Sequence, residues 1–186
     1  HRATGHQLPA VLGQQVLASV LARMDADGGF RHGVWTDRME SHYRLHCSAM
    51  HLMMDTLAAA PDAVVEAALR KSTAFLAAQH ERIASGVWFL HDELEHSDEQ
   101  MRSGPCKWVP STVLGKRGSN MLVLNTQLDA SVALDRYAQI TGDTQYADLV
   151  TSADGGGGGV LSLRSAQPLH HSQTRPTEMT LLPAPR

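Results

Sequence analysis

The sequence predicts an all-α protein, and three observations carry that prediction. Apolar residues recur at the three-and-four spacing of a helix through most of residues 9–140. Gly, Pro and Asp punctuate the chain where those stripes stop. No alternating apolar–polar run of useful length is present. Composition agrees: the 186 residues are 42% hydrophobic and 19% charged, enough for a sizeable core and too ordered a balance for wholesale disorder. With 16 Lys plus Arg against 19 Asp plus Glu and 11 His counted neutral, the formal charge is −3, so no basic excess exists for non-specific nucleic-acid binding.

Taken in order, Leu12, Val16 and Val20 beside Leu17, Leu21 and Met24 predict a first helix over 9–24. The stretch between Arg2 and Arg23 is charge-free and long enough to suggest a membrane span, but His6, Gln7, Pro9, Gln14 and Gln15 interrupt it. It reads as an amphipathic helix with an irregular lead-in, and neither a transmembrane segment nor a signal peptide is expected. Residues 25–33, with two adjacent glycines, break the pattern. Met39, Tyr43, His46, Met50, Met53 and Leu57 then form a second stripe, and Leu45, Ala49 and Leu52 cover a neighbouring face, which predicts an inner helix buried on much of its circumference.

Pro61 suits a first turn, and Val65, Leu69, Ser72, Leu76, Gln79 and Ile83 extend a third helix to about residue 84. An irregular segment over 85–119 follows. Leu124, Leu128 and Val132, with Ala133, Tyr137 and Ile140, mark a fourth helix, closed by Thr141-Gly142-Asp143, where Gly142 can adopt the left-handed conformation and Asp143 can cap a successor. That fifth helix begins at Thr144 and is interrupted by the glycine run 155–159. From residue 155 onward there is no Phe, Trp or Tyr, and Pro168, Pro176, Pro183 and Pro185 are all present. Too little apolar surface remains to offset about 1–2 kcal/mol of backbone entropy per residue. The expected organisation is therefore a helical domain over 1–154 and a Gly/Pro-rich flexible tail over 155–186, the alternative being truncation or an altered reading frame. The first residue is His1 rather than an initiator Met, which leads to the expectation of either processing or an excerpt from a longer chain.

The densest concentration of reactive side chains lies in 86–108: Trp88, Phe89, His91, Asp92, Glu93, Glu95, His96, Asp98, Glu99, Lys107 and Trp108. Loops on rigid helices are where binding and catalytic groups are usually placed. A sugar site needs this mixture, because a pyranose face packs on an indole while its hydroxyls and glycosidic oxygen need carboxylates and imidazoles. Glycoside hydrolysis uses two carboxyl groups, and a lyase or epimerase needs a base to remove the proton next to a uronate carboxyl. Asp92, Glu93 and Glu95 are the candidate acid–base carboxylates, with His91 as base or orienting group. The plain alternative is a solvated acidic loop whose tryptophans plug the core.

His42 and His46 lie four apart, with Glu40 nearby and His51 further on, so both imidazoles fall on one helical face where a metal could be shared. No HExxH or third ligand accompanies them, and His46 also lies on the apolar stripe of a core histidine, so no metal site is assigned. Glu40 and His42 instead face the same cavity as the loop if the helix is an inner one. Asn125 and Asp129, also four apart, could orient a substrate or satisfy loop backbone. Met50, Met53 and Met54 read as core filler, and Lys116 with Arg117 as a possible meeting point for an anionic group. The two cysteines, Cys47 and Cys106, give neither a disulfide framework nor a CxxC signature. GxSxG, GxGxxG, Walker, HExxH and zinc-finger patterns are missing, which argues against the corresponding enzyme classes and calls for no cofactor.

The phrase Tyr137-Ala-Gln-Ile-Thr-Gly-Asp-Thr-Gln-Tyr146, following Leu124-Asn-Thr-Gln-Leu-Asp129, resembles the helix-turn-helix phrasing of (α/α) toroid carbohydrate-active proteins. These include six-hairpin glycosidases, certain polysaccharide lyases and the C-terminal domains of uronyl C5-epimerases. Asp27-Gly-Gly-Phe30 is similar to their inter-helix loops and to repeats in terpene-cyclase-like toroids, whose aspartate-rich motifs are absent here. The phrases cover about a third of the chain, and no family's catalytic motif matches residue by residue. The resemblance implies antiparallel helical hairpins forming part of such a toroid. The expected function is binding of, or acid–base chemistry on, a polysaccharide or uronate-containing saccharide. Trp88 and Trp108 would be sugar platforms, and Glu40, His42, Asn125 and Asp129 would line the cavity. The alternative from another class is a helical-repeat scaffold whose acidic loop meets a protein partner, and a third is a metal protein built on His42 and His46. Neither nucleic acid nor membrane is an expected partner.

Overall fold

The structure, a computed structural model, describes residues 7–32, 40–102 and 116–156. Six α-helices occur among them: α1 (Gln7–Ala22), α2 (Tyr43–Ala59), α3 (Ala63–Ala77), the short α4 (Asp98–Arg102), α5 (Leu124–Thr141) and α6 (Ala147–Gly156). Between α3 and α4 lie two short strands, β1 (His80–Ile83) and β2 (Gly86–Phe89), and a 3-10 turn at Glu93–His96. Helix-rich architecture is thus as expected, but the chain is not purely α.

The third helix ends earlier than its apolar spacing predicts. Asp62, rather than Pro61, begins it: the carboxylate accepts from Val64 N (2.9 Å) and Val65 N (3.1 Å), the geometry of an N-cap. At the other end, residues from His80 leave the helix and pair antiparallel with β2, His80 opposite Phe89 and Ile83 opposite Gly86. The hairpin succeeds because β2 is almost wholly buried, with Val87 and Phe89 in the core. Burial of that apolar strand outweighs the helical continuation suggested by Gln79 and Ile83.

Helices α2 and α3, joined by three residues, fold back on each other as a hairpin, and α5 packs across both. The shared core holds Tyr43, Met50, Met53 and Met54 from α2, Leu69 and Leu76 from α3, and Ala133, Leu134 and Tyr137 from α5. The methionines are core filler, as their positions on the stripe suggest. Gly142 closes α5 with φ 72°, in the left-handed region, and Asp143 Oδ1 accepts from Gln145 N (3.1 Å) in the turn that leads to α6. Helix α6 runs two residues into the glycine run before the described residues end at 156. The Leu17, Leu21 and Met24 side of the first helical segment packs on the core, whereas Val11, Leu12 and Val16 are exposed. Among the described residues no helix is long and apolar enough to cross a membrane.

Gln127 stitches three elements together. Its Oε1 accepts from Phe89 N (2.7 Å), and its Nε2 donates to Val87 O (3.1 Å) and Ala153 O (3.0 Å), so one buried amide satisfies two positions of β2 and one of α6. Removing it strands three buried backbone groups. Gln127→Ala is expected to cost about 3 kcal/mol by urea unfolding, whereas Gln139→Ala on the exposed face should stay within about 0.5 kcal/mol.

Candidate functional site

The N-terminal end of α2 and the 91–96 loop are laced together as a short antiparallel pair. Tyr43 N donates to His91 O (3.1 Å) and Glu93 N to Ser41 O (3.0 Å), which sets His42 opposite Asp92. The imidazoles of His42 and His91 meet edge to face with ring centroids 4.1 Å apart. A second pair lies beside it: His32 and Glu40 exchange both backbone bonds, at 2.9 and 3.0 Å. Glu40 and His42, remote in sequence from His91 and Asp92, are therefore brought beside them.

Asp92 and its two acidic neighbours have separate fates. Asp92 opens the 3-10 turn, its Oδ1 accepting from Leu94 N (2.8 Å). Burial pushes its carboxyl up to about 6, and the charge of Glu40 adds to this. Glu93 is held by Arg31, whose Nε lies 2.9 Å from Oε2 and whose Nη2 lies 2.7 Å from Oε1, and Oε2 also accepts from Ser41 N (3.1 Å). Glu95 is fully buried; its Oε1 accepts from His91 N (2.6 Å) and Asp92 N (3.0 Å), and its Oε2 from Met121 N (2.8 Å). Burial pushes Glu95 up to about 7 against the pull of those three N–H groups. Both carboxylates thus hold the loop, Glu93 through Arg31 and Ser41 and Glu95 through three backbone N–H groups.

Burial disfavours the charged form of both imidazoles of the His42–His91 pair. Burial pulls His42 down to about 4, with His91, His32 and Arg44 adding to the effect, and burial lowers His91 as well. His91 Nδ1 lies 2.5 Å from Thr126 Oγ1 at the start of α5, so the ring is fixed through that nitrogen.

The remaining candidates divide. Asp129 is brought to the site's edge through Arg44, whose Nε donates to Oδ2 at 2.7 Å, and Asn125 is exposed on the first turn of α5. Trp88 is buried, 8% exposed, and cannot offer an open indole face as a sugar platform. Trp108 lies outside the described residues. His46 and His42 do not converge: His46 is fully buried, stacked against Phe75 with its Nε2 2.9 Å from both Ser72 O and Ser72 Oγ, and burial pulls it down to about 4. It is a hydrogen-bonded core histidine. Among the described residues no three His, Cys, Asp or Glu side chains are grouped as a metal ion requires.

Sequence reasoning missed Arg31, Arg44 and Thr126. Arg31 follows the Asp27-Gly-Gly-Phe30 turn, and its place immediately after a tight acidic turn is the signal that could have found it. No protein-family model matches the chain, and neither a curated protein nor a solved structure shows a match to it.

A carboxylic acid whose folded value is raised stabilises the fold fully below its ordinary 3.8 and loses that contribution as pH climbs through about 6. Asp92 is therefore expected to titrate near 6 by carboxyl carbon NMR. The stability of Asp92→Asn relative to the parent should rise between those two values; a midpoint at 3.8 contradicts the assignment.

Proposed function

We propose that this chain is part of an (α/α) toroid that binds a polysaccharide or uronate-containing saccharide and acts on it by acid–base chemistry at the His42–His91–Asp92 site. The observation that carries the reading is one raised carboxyl set in register with His42 and beside the His42–His91 ring pair, which supplies a proton donor and unprotonated imidazoles together at mildly acidic pH, below about 6. With Glu93 and Glu95 spent on the loop, the paired carboxylates of a glycosidase are not on offer, so a lyase or epimerase fits better than a hydrolase. In the lyase form an imidazole, His91 Nε2 foremost, takes the proton from the carbon next to the uronate carboxyl. Asp92 gives its proton to the departing glycosidic oxygen as the C–O bond breaks and a C=C bond forms. Arg44, Asp129 and Asn125 border the site and suit contacts to saccharide carboxyl and hydroxyl groups.

The scaffold reading draws on a different observation, the exposed Val11, Leu12 and Val16 of α1. In the acidic segment Glu95 is turned inward, while Asp98 and Glu99 are exposed to a partner.

Incubation with uronic-acid polysaccharides, followed by ultraviolet absorbance of the new double bond and by thermal unfolding with and without saccharide, tests the proposal. Turnover or saccharide-induced stabilisation is expected, and Asp92→Asn should lower turnover about 100-fold or more with helical circular dichroism intact. A folded protein that neither turns over nor is stabilised, or an Asp92→Asn variant of full activity, overturns it.

A further inference from the structure

The cation that holds Glu93 sits on the turn 25–31, remote in sequence from the loop it serves. Arg31 has five N–H donors, and every one is used. Nε donates to Glu93, Nη1 to Asp25 Oδ2 and Asp27 Oδ1 (both 3.1 Å), and Nη2 to Asp27 Oδ2 (2.8 Å) and Glu93 Oε1 (2.7 Å). The guanidinium also lies over the Phe75 ring, 5.3 Å from its centroid. A fork saturated by three carboxylates has no donor left for a ligand, so its part is to fix geometry.

The turn that carries it is itself fixed. Gly28 has φ +94°, and a Cβ there would come within 2.5 Å of Lys71 O on α3, so the backbone of the turn touches the helix directly. Asp27 Oδ1 also accepts from Gly29 N (3.0 Å). From this anchor the connection runs through Arg31 to Glu93 and from Glu93 to Ser41, which it grips twice: side-chain Oε2 to Ser41 N, and backbone N to Ser41 O. Ser41 adjoins His42, and Glu93 adjoins Asp92.

We propose that Arg31 is a positioning residue for the His42–Asp92 site, acting through Glu93 to set the imidazole of His42 against His91 and Asp92. The proposal rests on reading that site as an acid–base centre, but the arrangement it describes is measurable without any substrate. A lysine cannot replace the fork, because a point ammonium cannot serve three carboxylates in one plane.

The test is histidine-ring NMR on the full chain, comparing the parent with Arg31→Gln, Arg31→Lys, Glu93→Gln and the double variant Arg31→Gln/Glu93→Gln. In the parent, ring protons of His42 and His91 are expected to give a mutual nuclear Overhauser effect, and His42, which faces His91, His32, Arg44 and Asp92, is expected to titrate at about 4. Arg31→Gln is expected to weaken the ring contact and raise the His42 midpoint by about one unit as the pair loosens and water enters. Arg31→Lys should rescue only part of this, and the double variant should go no further than either single change. His51, on α2 beside Arg136 and Asp55, should keep its midpoint throughout. An unchanged His42 in folded Arg31→Gln or in Glu93→Gln, or effects of the two changes that add, overturns the proposal. If Arg31→Gln does not fold, Glu93→Gln, which keeps an oxygen for Ser41 N but loses the ion pair, decides alone. If no saccharide is turned over yet these shifts appear, the functional reading fails and the positioning role stands.

Discussion

The carboxylate of Glu95 receives three backbone N–H groups from two segments, His91 and Asp92 on one side and Met121 on the other. Met121 lies just ahead of α5, so this one side chain decides where that helix starts relative to the loop and brings Thr126 against His91. The approach to α5 bends sharply at Leu122, with φ 52° in the left-handed region that side chains avoid, a cost of about 1–3 kcal/mol. Asn120 Oδ1 accepting from Leu122 N (2.9 Å) and Glu95 accepting from Met121 N hold the chain in that bend. Glu95 is buried because its oxygens face donors that would otherwise be orphaned.

The run Asp92-Glu-Leu-Glu95 places three carboxylates of one chemistry in three environments. Glu95 is enclosed by backbone donors, Glu93 faces a saturated guanidinium, and Asp92 is half-buried beside imidazoles with its value raised to about 6. Electrostatics favour this division, because three ionised carboxylates on one loop repel unless donors or cations face at least two of them. The two committed carboxylates make the third one's surroundings rigid. The imidazole of His96 extends the bracing, its Nε2 2.6 Å from Gln79 Oε1, which also accepts the hydroxyl of buried Tyr43 at 2.9 Å.

What was legible in the sequence follows from where local chemistry and tertiary packing agree. Helix α5 carries its apolar stripe, its left-handed Gly142 and its polar first turn in the chain itself, and the interior of α2 is equally plain. The β-hairpin was hidden because its two-residue loop, Ala84-Ser85, lacks the Asn-Gly or Asp-Gly chemistry that signals one, while Gln79 and Ile83 continue a helical spacing by coincidence. The second stripe opens at Met39, which lies outside the described residues; α2 begins at Tyr43, where the N–H is taken by His91 O, a contact no local pattern encodes. For the candidate site, composition drew attention to the loop, and the start of an inner α2 suggested Glu40 and His42 as its neighbours, which the His42–Asp92 pairing matches in position. Which carboxylates are held by partners depended on Arg31, 62 residues from Glu93, and on Met121.

Amide hydrogen exchange at His91, Asp92 and Met121 tests this account most directly, because all three protons point at one carboxylate. The account predicts that they exchange about as slowly as core amides of α2, opening only with large-scale unfolding, and that Glu95→Gln, with a single acceptor oxygen, releases at least one side of the clamp. Exchange at free-peptide rates in the parent, or three amides indifferent to Glu95→Gln in a folded protein, would contradict it.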